Sequence, residues 1–471
     1  MASVWRDLPP AEIVARLWAD SGGPPAALSD VTLTGADPVL PSTFRIGAVA
    51  QSTIAAAALA AAELRRLKTG QRQQITCDQR DAAIEFRSER YMRVANKPPA
   101  ALWDAIAGTY QAADGRWLRL HTNFAHHRDG VLDLLSCDYD RDAVAAALKQ
   151  WKAEDFEDAA AARGLVVTMM RSDAEWQAHP QGRAVAGLPL FEIEKFGEAP
   201  VEPLPGGDRP LSGIRVADLT RIIAGPVCGR TLAAHGADVL LLSSPSLPSI
   251  ESLVIDSGRG KRAAFVDLET AAGRETLTDL AARADVFVQG YRPGGLAGRG
   301  FSPEAVASRR PGIVYVSLSA YGHAGPWSDR RGFDSLVQTA SGINHSEAVA
   351  AGLDQPKALP CQALDHASGY LMAFGAMMAL RRRATVGGSW LVRVSLAQTG
   401  HWIRTLGSVP GGLAAPEIDA AAAADRLETT PSGFGALTAV RHAAMLSETP
   451  AGWALPSVPL GSHAAAWSSA A

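Results

Sequence analysis

From Gly213 onward the chain alternates short apolar runs with stretches of helical period. GIRVADL, ADVLLL, AAFVDL, DVFVQG and GIVYVSLS read as strands that are mostly apolar on both faces. Between them, PVCGRTLAAHG, TAAGRETLTDLAARA and SPEAVASR carry apolar residues at helix spacing. Strands buried on both sides and separated by helices predict a doubly wound parallel sheet with helices on each face. Ligands of such sheets bind outside the carboxyl ends of the strands. Here those ends carry TRIIAGP, QGYRPG and SAYGHAGP, loops rich in Gly and Pro, so substrate is expected there.

The first half has another rhythm. An Ala-rich helix (AQSTIAAAALAAAELRRLKTG) leads into a strand (QRQQITC) and a polar helix containing RDAAIEFRSERYMR. GTYQAADGRWLRLH predicts a hairpin turning at AADG, and helical stretches follow, so residues 1–200 are expected to form a smaller α+β domain. The stretch from 201 to 210, within GEAPVEPLPGGDRP, cannot sustain a helix or central strand and reads as a linker before a second domain, 211–471. An internal repeat crosses this boundary: AAAELRRLKTGQRQQITCDQRDA matches AMMALRRRATVGGSWLVRVSLAQT, placing Leu64 on Leu380 and Asp365 on Val49.

Bulk composition narrows the function classes. A chain of 471 residues exceeds one ordinary core, and a net charge of −3 supplies no field for nucleic acid or an anionic membrane. The four cysteines lie far apart with no CxxC pair, and the N-terminal stretch lacks an apolar signal region. The Ala-rich run Ile54–Ala62 is too short to span a bilayer. A cytoplasmic protein without membrane or nucleic-acid partners is the expectation.

Asp365 is the leading chemical candidate. It stands in PCQALDHASGYLMAFGAMMALRRR, at or just before the start of a long apolar helix, where free N–H groups would hold a carboxylate ionised as a nucleophile. Small residues at Ala367 and Gly369 would let a bulky ligand approach. A plain helix-capping aspartate remains open beside that reading. Lys261 and Arg262, in GRGKR, could meet nucleotide phosphates or form a solvated turn; Ile255 excludes a Walker A loop. His121, His126 and His127 lack a matching acidic or Cys set for a metal and read as ordinary core or surface histidines. No GxSxG elbow and no GxGxxG fingerprint occurs.

The segments LSGIRVADLTRIIAGP, GRGKRAAFVDL, DVFVQGYRPGGL, GIVYVSLSAYGHAGPWSDRRGFDSLVQTASG and ALDHASGYLMAFGAMMALRRR, in that order, resemble the class III CoA-transferases, the CaiB/BaiF group. The first half resembles that family's small domain, so the chain reads as permuted or partly duplicated. The resemblance implies a Rossmann-like CoA-binding domain and an acyl-CoA:carboxylate CoA-transferase, with Asp365 attacking a thioester to give a mixed anhydride. It implies no permanently bound cofactor; acyl-CoA and a carboxylic acid acceptor are the substrates, and a homodimer is the expected assembly. Asp334 matches a supporting acidic position. Ile222, Ile223, Ala224 and Gly225 match a loop that contacts CoA through its backbone. Tyr291, Arg292 and Arg331 match neighbourhoods that meet CoA phosphates or pantetheine. Phe333 stands where a related racemase subgroup has its histidine. An isomerase or racemase and a non-catalytic CoA-binding subunit are the alternatives.

Overall fold

The fold is that of a computed structural model, which describes residues 4–292 and 294–468. The first half contributes β1 (Val31–Thr34), β2 (Ile75–Asp78), β3 (Arg93–Val94), β4 (Gly108–Gln111), β5 (Trp117–Leu120), β6 (Val167–Met169) and β7 (Phe191–Gly197). The second contributes β8 (Arg215–Leu219), β9 (Asp238–Ser243), β10 (Lys261–Phe265), β11 (Val286–Gln289), β12 (Val314–Ser319) and β13 (Ser389–Ser395). It ends with β14 (Leu427–Ser432), β15 (Gly435–Val440) and β16 (Ala444–Leu446). A seven-stranded sheet runs in the order β10-β9-β8-β11-β12-β13-β7, parallel throughout except for β7, which pairs antiparallel with β13. The expected α/β class and the five predicted strands are therefore found.

Alternation along the strands sorts side chains between two cores. Val216, Val286, Val288, Val314, Val316 and Val392 face the larger core, which holds the long helices Ile46–Thr69 and Ala363–Val386. Ala217, Leu219, Phe287, Tyr315 and Leu391 face the other, under the helices Ala271–Ala281 and Pro303–Arg309. We call the two long helices the alanine helix (Ile46–Thr69) and the aspartate helix (Ala363–Val386). The alanine helix is long and apolar enough to cross a membrane, yet its apolar window is buried inside the protein. Glycine decides how close neighbours come: a Cβ on Gly369 would stand 2.5 Å from the Ala224 carbonyl oxygen. That small residue seats the helix Ala224–Ala234, a role the sequence reading had given to a ligand.

The two halves interleave. β16, from the end of the chain, closes a sheet with β1 and β2, while β3 of the first half joins the hairpin β14–β15. A fourth sheet, β4-β5-β6, carries the expected hairpin and has its own core around Leu118, Leu120, Val144 and Phe156. A further hairpin, β14–β15, follows the second repeat. Its strands LETTPS and GALTAV carry Thr, Ala and Pro where a strand pattern would show larger apolar residues.

Candidate functional site

A cavity of about 440 Å³ opens at the carboxyl ends of β8, β11 and β12, where the strand pattern placed it. Asp365 lines it, together with Arg221, Ile222, Ala224, Tyr291, Arg292 and Arg331. Ile222 sits in the loop after β8 at φ 73. A β-branched residue in that left-handed region is strained, and strain of this kind clusters at binding sites. Ile222 thus stands at the cavity wall in a strained backbone conformation. Ile223 and Gly225 belong to the same turn but do not line it; Ile223 is buried, and a Cβ on Gly225 would collide with Thr220.

Asp365 is the third residue of the aspartate helix, buried at 7% exposure. Asp334, in the first turn of the helix Asp334–Ala340, accepts the Asp365 backbone N–H at 2.9 Å. Capping of the aspartate helix thus falls to Asp334, and the Asp365 side chain is left over for the cavity. Gln338 donates its amide to the other Asp334 oxygen and accepts the Leu359 N–H at 2.9 Å, so its orientation is fixed. Burial pushes the Asp334 carboxyl up to about 6, against the opposing pull of these donors. Asp365 is pushed well above the ordinary carboxylate value by burial, then by the facing carboxylates of Asp334 and Glu89. The sequence expectation of a carboxylate held ionised by the helix terminus is corrected accordingly, because the free N–H is spent on Asp334.

Around this pair the first half supplies a second layer. Glu89 meets His366 Nε2 at 3.2 Å, and Phe86 stacks on His366 at 5.4 Å and on Tyr370 at 5.9 Å. Phe124, His126, His127 and Val166 also line the cavity from the first half. His121 stacks on Phe333 with ring centroids 4.0 Å apart. His127 is held down to about 3 by burial, by His126 and by the nearby Arg331 and Arg221, and is therefore neutral. Sequence reasoning assigned these histidines to core or surface; only long-range packing brings HTNFAHH to the cavity, and no local pattern reports that.

Arg221, Arg292 and Arg331 line one cavity, and among the described residues none has a carboxylate partner. Arg331 donates to the Gly164 carbonyl and is pulled below the ordinary arginine value by burial and then by Arg292. Arg221, absent from the sequence candidates, joins them and lies over the Phe124 ring at 5.1 Å. Crowded cations without counter-ions make a receptor for an anionic ligand.

Lys261 and Arg262 lie elsewhere. Lys261 is 1% exposed inside β10, bonded to Asp218 and to the Pro226 carbonyl, each at 2.9 Å. Arg262 grips Asp238, its Nη2 reaching the two carboxylate oxygens at 2.8 and 3.0 Å. Both are corrected from phosphate contacts to structural ion pairs. Charge in a Gly-flanked run suggested a turn, whereas KRAAF is an edge strand whose cations find acidic neighbours.

Residues 211–409 match CoA-transferase family III. An acyl-CoA transferase of Gibberella moniliformis is 32% identical over 343 residues, covering 67% of this chain and 58% of that protein. The human succinyl-CoA:glutarate CoA-transferase is 32% identical over 183 residues, 36% of this chain and 41% of that one. Among solved structures, a CaiB/BaiF family protein from Brucella suis is 29% identical, with a TM-score of 0.36 over 41% of this chain and 55% of that one. The chain spans about half the length of the curated relatives it matches. The matched region runs from just before β8 to just past the helix Leu396–Thr405 and contains both carboxylates and the arginines, so it is over this site-bearing part that the chain resembles CoA-transferase family III.

Proposed function

We propose that this protein is an acyl-CoA:carboxylate CoA-transferase in which Asp365 carries the acyl group. The observation that supports this reading is the meeting, in one cavity, of a buried carboxylate with Arg221, Arg292 and Arg331. A CoA thioester presents phosphates at one end and a reactive carbonyl at the other, which suits that arrangement. The ionised Asp365 oxygen attacks the thioester carbon, the C–S bond breaks, and CoA leaves as thiolate from a mixed anhydride. The thiolate then attacks the Asp365 carbonyl, releasing the donor acid and leaving an aspartyl-CoA thioester. The acceptor carboxylate attacks that thioester, and the returning thiolate takes the acceptor acyl group. Each step exchanges one acyl bond for another, so one carboxylate splits a hard transfer into easier ones. The surroundings that raise the Asp365 pKa also make its carboxylate a stronger nucleophile once the proton has left.

Acyl-CoA and a carboxylic acid are the proposed substrates, with no permanent cofactor. All four cysteines are free, which fits a reducing, cytoplasmic setting. The test is intact-protein mass spectrometry after mixing with a panel of acyl-CoA thioesters, with hydroxylamine as trap. A hydroxamate mapped to Asp365 and lost in Asp365→Ala supports the reading. CoA binding without any adduct overturns it.

A second reading rests on His127. The neutral imidazole shares the cavity with Asp365, and two proton-carrying groups in one chamber are what α-proton exchange requires. Deuterium entering the α-position of acyl-CoA in heavy water, and failing to enter with His127→Asn, would favour an isomerase. Exchange-free transfer to an acceptor acid excludes it.

A further inference from the structure

The duplication hinted at by Leu64 and Leu380 is visible in three dimensions, in a register one residue longer. The alanine and aspartate helices are each 24 residues long. Their N-caps, Arg45 and Gln362, share nearly the same backbone (φ −78, ψ 57 against φ −78, ψ 65). Both end on a glycine with positive φ, Gly70 (φ 75, ψ −7) and Gly387 (φ 72, ψ −168), so the residue type and position repeat while the exit path differs. Each helix returns into a strand, β2 or β13, that runs directly into a further helix, capped by the side chain of Asp78 or Ser395. Arg45 and Gln362, Gly70 and Gly387, and Asp78 and Ser395 all stand at one separation, which places Asp365 on Ala48 and corrects the earlier match to Val49.

The strand neighbours repeat as well. β2 lies parallel to β1 and antiparallel to β16; β13 lies parallel to β12 and antiparallel to β7. The cap residues hold equivalent places in the parallel ladders, Asp78 opposite Thr34 and Ser395 opposite Ser319. The antiparallel closers are exchanged: β7 follows the first copy and closes the second, whereas β16 follows the second copy and closes the first. The two long helices pack against each other and are tied by Glu63 to Arg381 at 3.1 Å.

A capping carboxylate serves both long helices, although it comes from different places, the loop after β1 for Asp37 and the added helix Asp334–Ala340 for Asp334. Asp334 lies over the N–H groups of Leu364 and Asp365, and Asp37 over those of Gly47 and Ala48. Both carboxyls are raised by burial. What differs is the nucleophile position, a carboxylate in one copy and a methyl group in the other.

We infer that this chain is a pair folded into one polypeptide, two copies of a strand–helix–strand–helix unit that exchange closing strands, with only the second copy able to react. In place of the homodimer expected from the sequence, the folded unit is a single chain, because its own first half already closes the surroundings of Asp365. Glu89, Phe124 and His127, which complete the surroundings of Asp365, come from that half. The count of reactive sites rests on the proposed function; the pairing does not.

The test cuts the link between the copies. A protease recognition sequence is inserted between Gly206 and Gly207, within the exposed stretch 206–208 of the linker. Native mass spectrometry is run on the full chain before and after cutting. The expected result is a folded species of one chain before cutting, and a one-to-one pair of fragments after it. The exchanged strands and the buried Ser88, Arg230 and Asp256 cluster would hold that pair together. Fragments that separate without denaturant overturn the inference, and so does an intact protein whose smallest folded species is two chains. Acylation of the cut pair is read separately and is expected at one equivalent per chain, on Asp365. A pair that stays together but takes no acyl group counts against the transferase reading and leaves the pairing standing.

Discussion

Replacing Asp334 with Asn should change how stability depends on pH, by an amount the site itself sets. Asp334 is buried, accepts the Asp365 N–H and the Gln338 amide, and titrates at about 6 against an ordinary 3.8. A carboxyl raised on folding binds its proton more tightly in the folded state than in the unfolded one. Its stabilising contribution is therefore whole below pH 3.8 and is lost as pH rises through about 6. At about 1.4 kcal/mol per pH unit, the gap between those values is ~3 kcal/mol, of which about 2–3 falls between pH 4 and pH 8.

Asparagine cannot ionise, so the variant escapes that loss. It carries a separate cost: its oxygen serves one of the two donors while its own NH2 faces the other. Since Gln338 is pinned by Leu359, that conflict costs about 1–3 kcal/mol at every pH. Asp334→Asn should therefore be less stable than wild type at pH 4 and equal or slightly more stable at pH 8. Guanidinium unfolding of both proteins at the two pH values, compared with a common slope, measures the difference. Parallel pH profiles for the two proteins would refute the reasoning. The same substitution removes a like charge beside Asp365, so the rising limb of acylation against pH should move to lower pH.

Three further outcomes are expected. Lys261→Met should lose about 3–5 kcal/mol by leaving the buried Asp218 unpaired; adding Asp218→Leu should recover most of that, and calorimetric CoA affinity of the double variant should match wild type. Arg292→Ala and Arg331→Ala should each weaken CoA binding roughly tenfold or more, as loss of a charged hydrogen bond does, with a shallower salt dependence, while melting temperature hardly moves. Glu89→Gln keeps an acceptor for His366 but removes a charge that raises Asp365, so its acylation limb should also shift to lower pH, in stopped-flow measurements, without loss of CoA binding.

The legible features were those written in local pattern. GIRVADL, DVFVQG and GIVYVSLS carried their strand character, burial on both faces and place in a parallel sheet within a few residues each. Asp365 stood out because an acidic residue opened a run that was otherwise apolar on every side. Contacts between distant segments left no such mark. Nothing around Glu89 or His127 announces that residues from the first half will close a site in the second, because the meeting joins segments hundreds of positions apart, as Glu89 and His366 do. Lys261 misled for a related reason: its partner Asp218 lies 43 positions away, so a paired core lysine read as a solvent-facing cation. The repeat was found but set one residue out of register, since Leu-Arg-Arg matches are matches of composition. The N-caps match in backbone geometry and, with equal helix lengths ending on glycine, fix the true alignment.

That corrected alignment separates two roles that a single site would leave tangled. At the start of a buried helix the free N–H groups need an acceptor, and each copy supplies one from outside the helix, Asp37 or Asp334. Capping is therefore a requirement of the fold, met twice. A second carboxylate at the same end has no backbone N–H left to satisfy it and is pushed up by burial and then by the first, so it weakens the fold above the ordinary carboxylate range. The copy that opens on the arginine-lined cavity holds Asp365, and the other holds Ala48 at that position. A destabilising group kept only where a ligand pocket meets it is explained by chemistry and not by packing. Asp365→Asn should accordingly raise the melting temperature at pH 8 by more than at pH 4, while abolishing acylation. An equal change at the two pH values would return Asp365 to the rank of an ordinary buried residue.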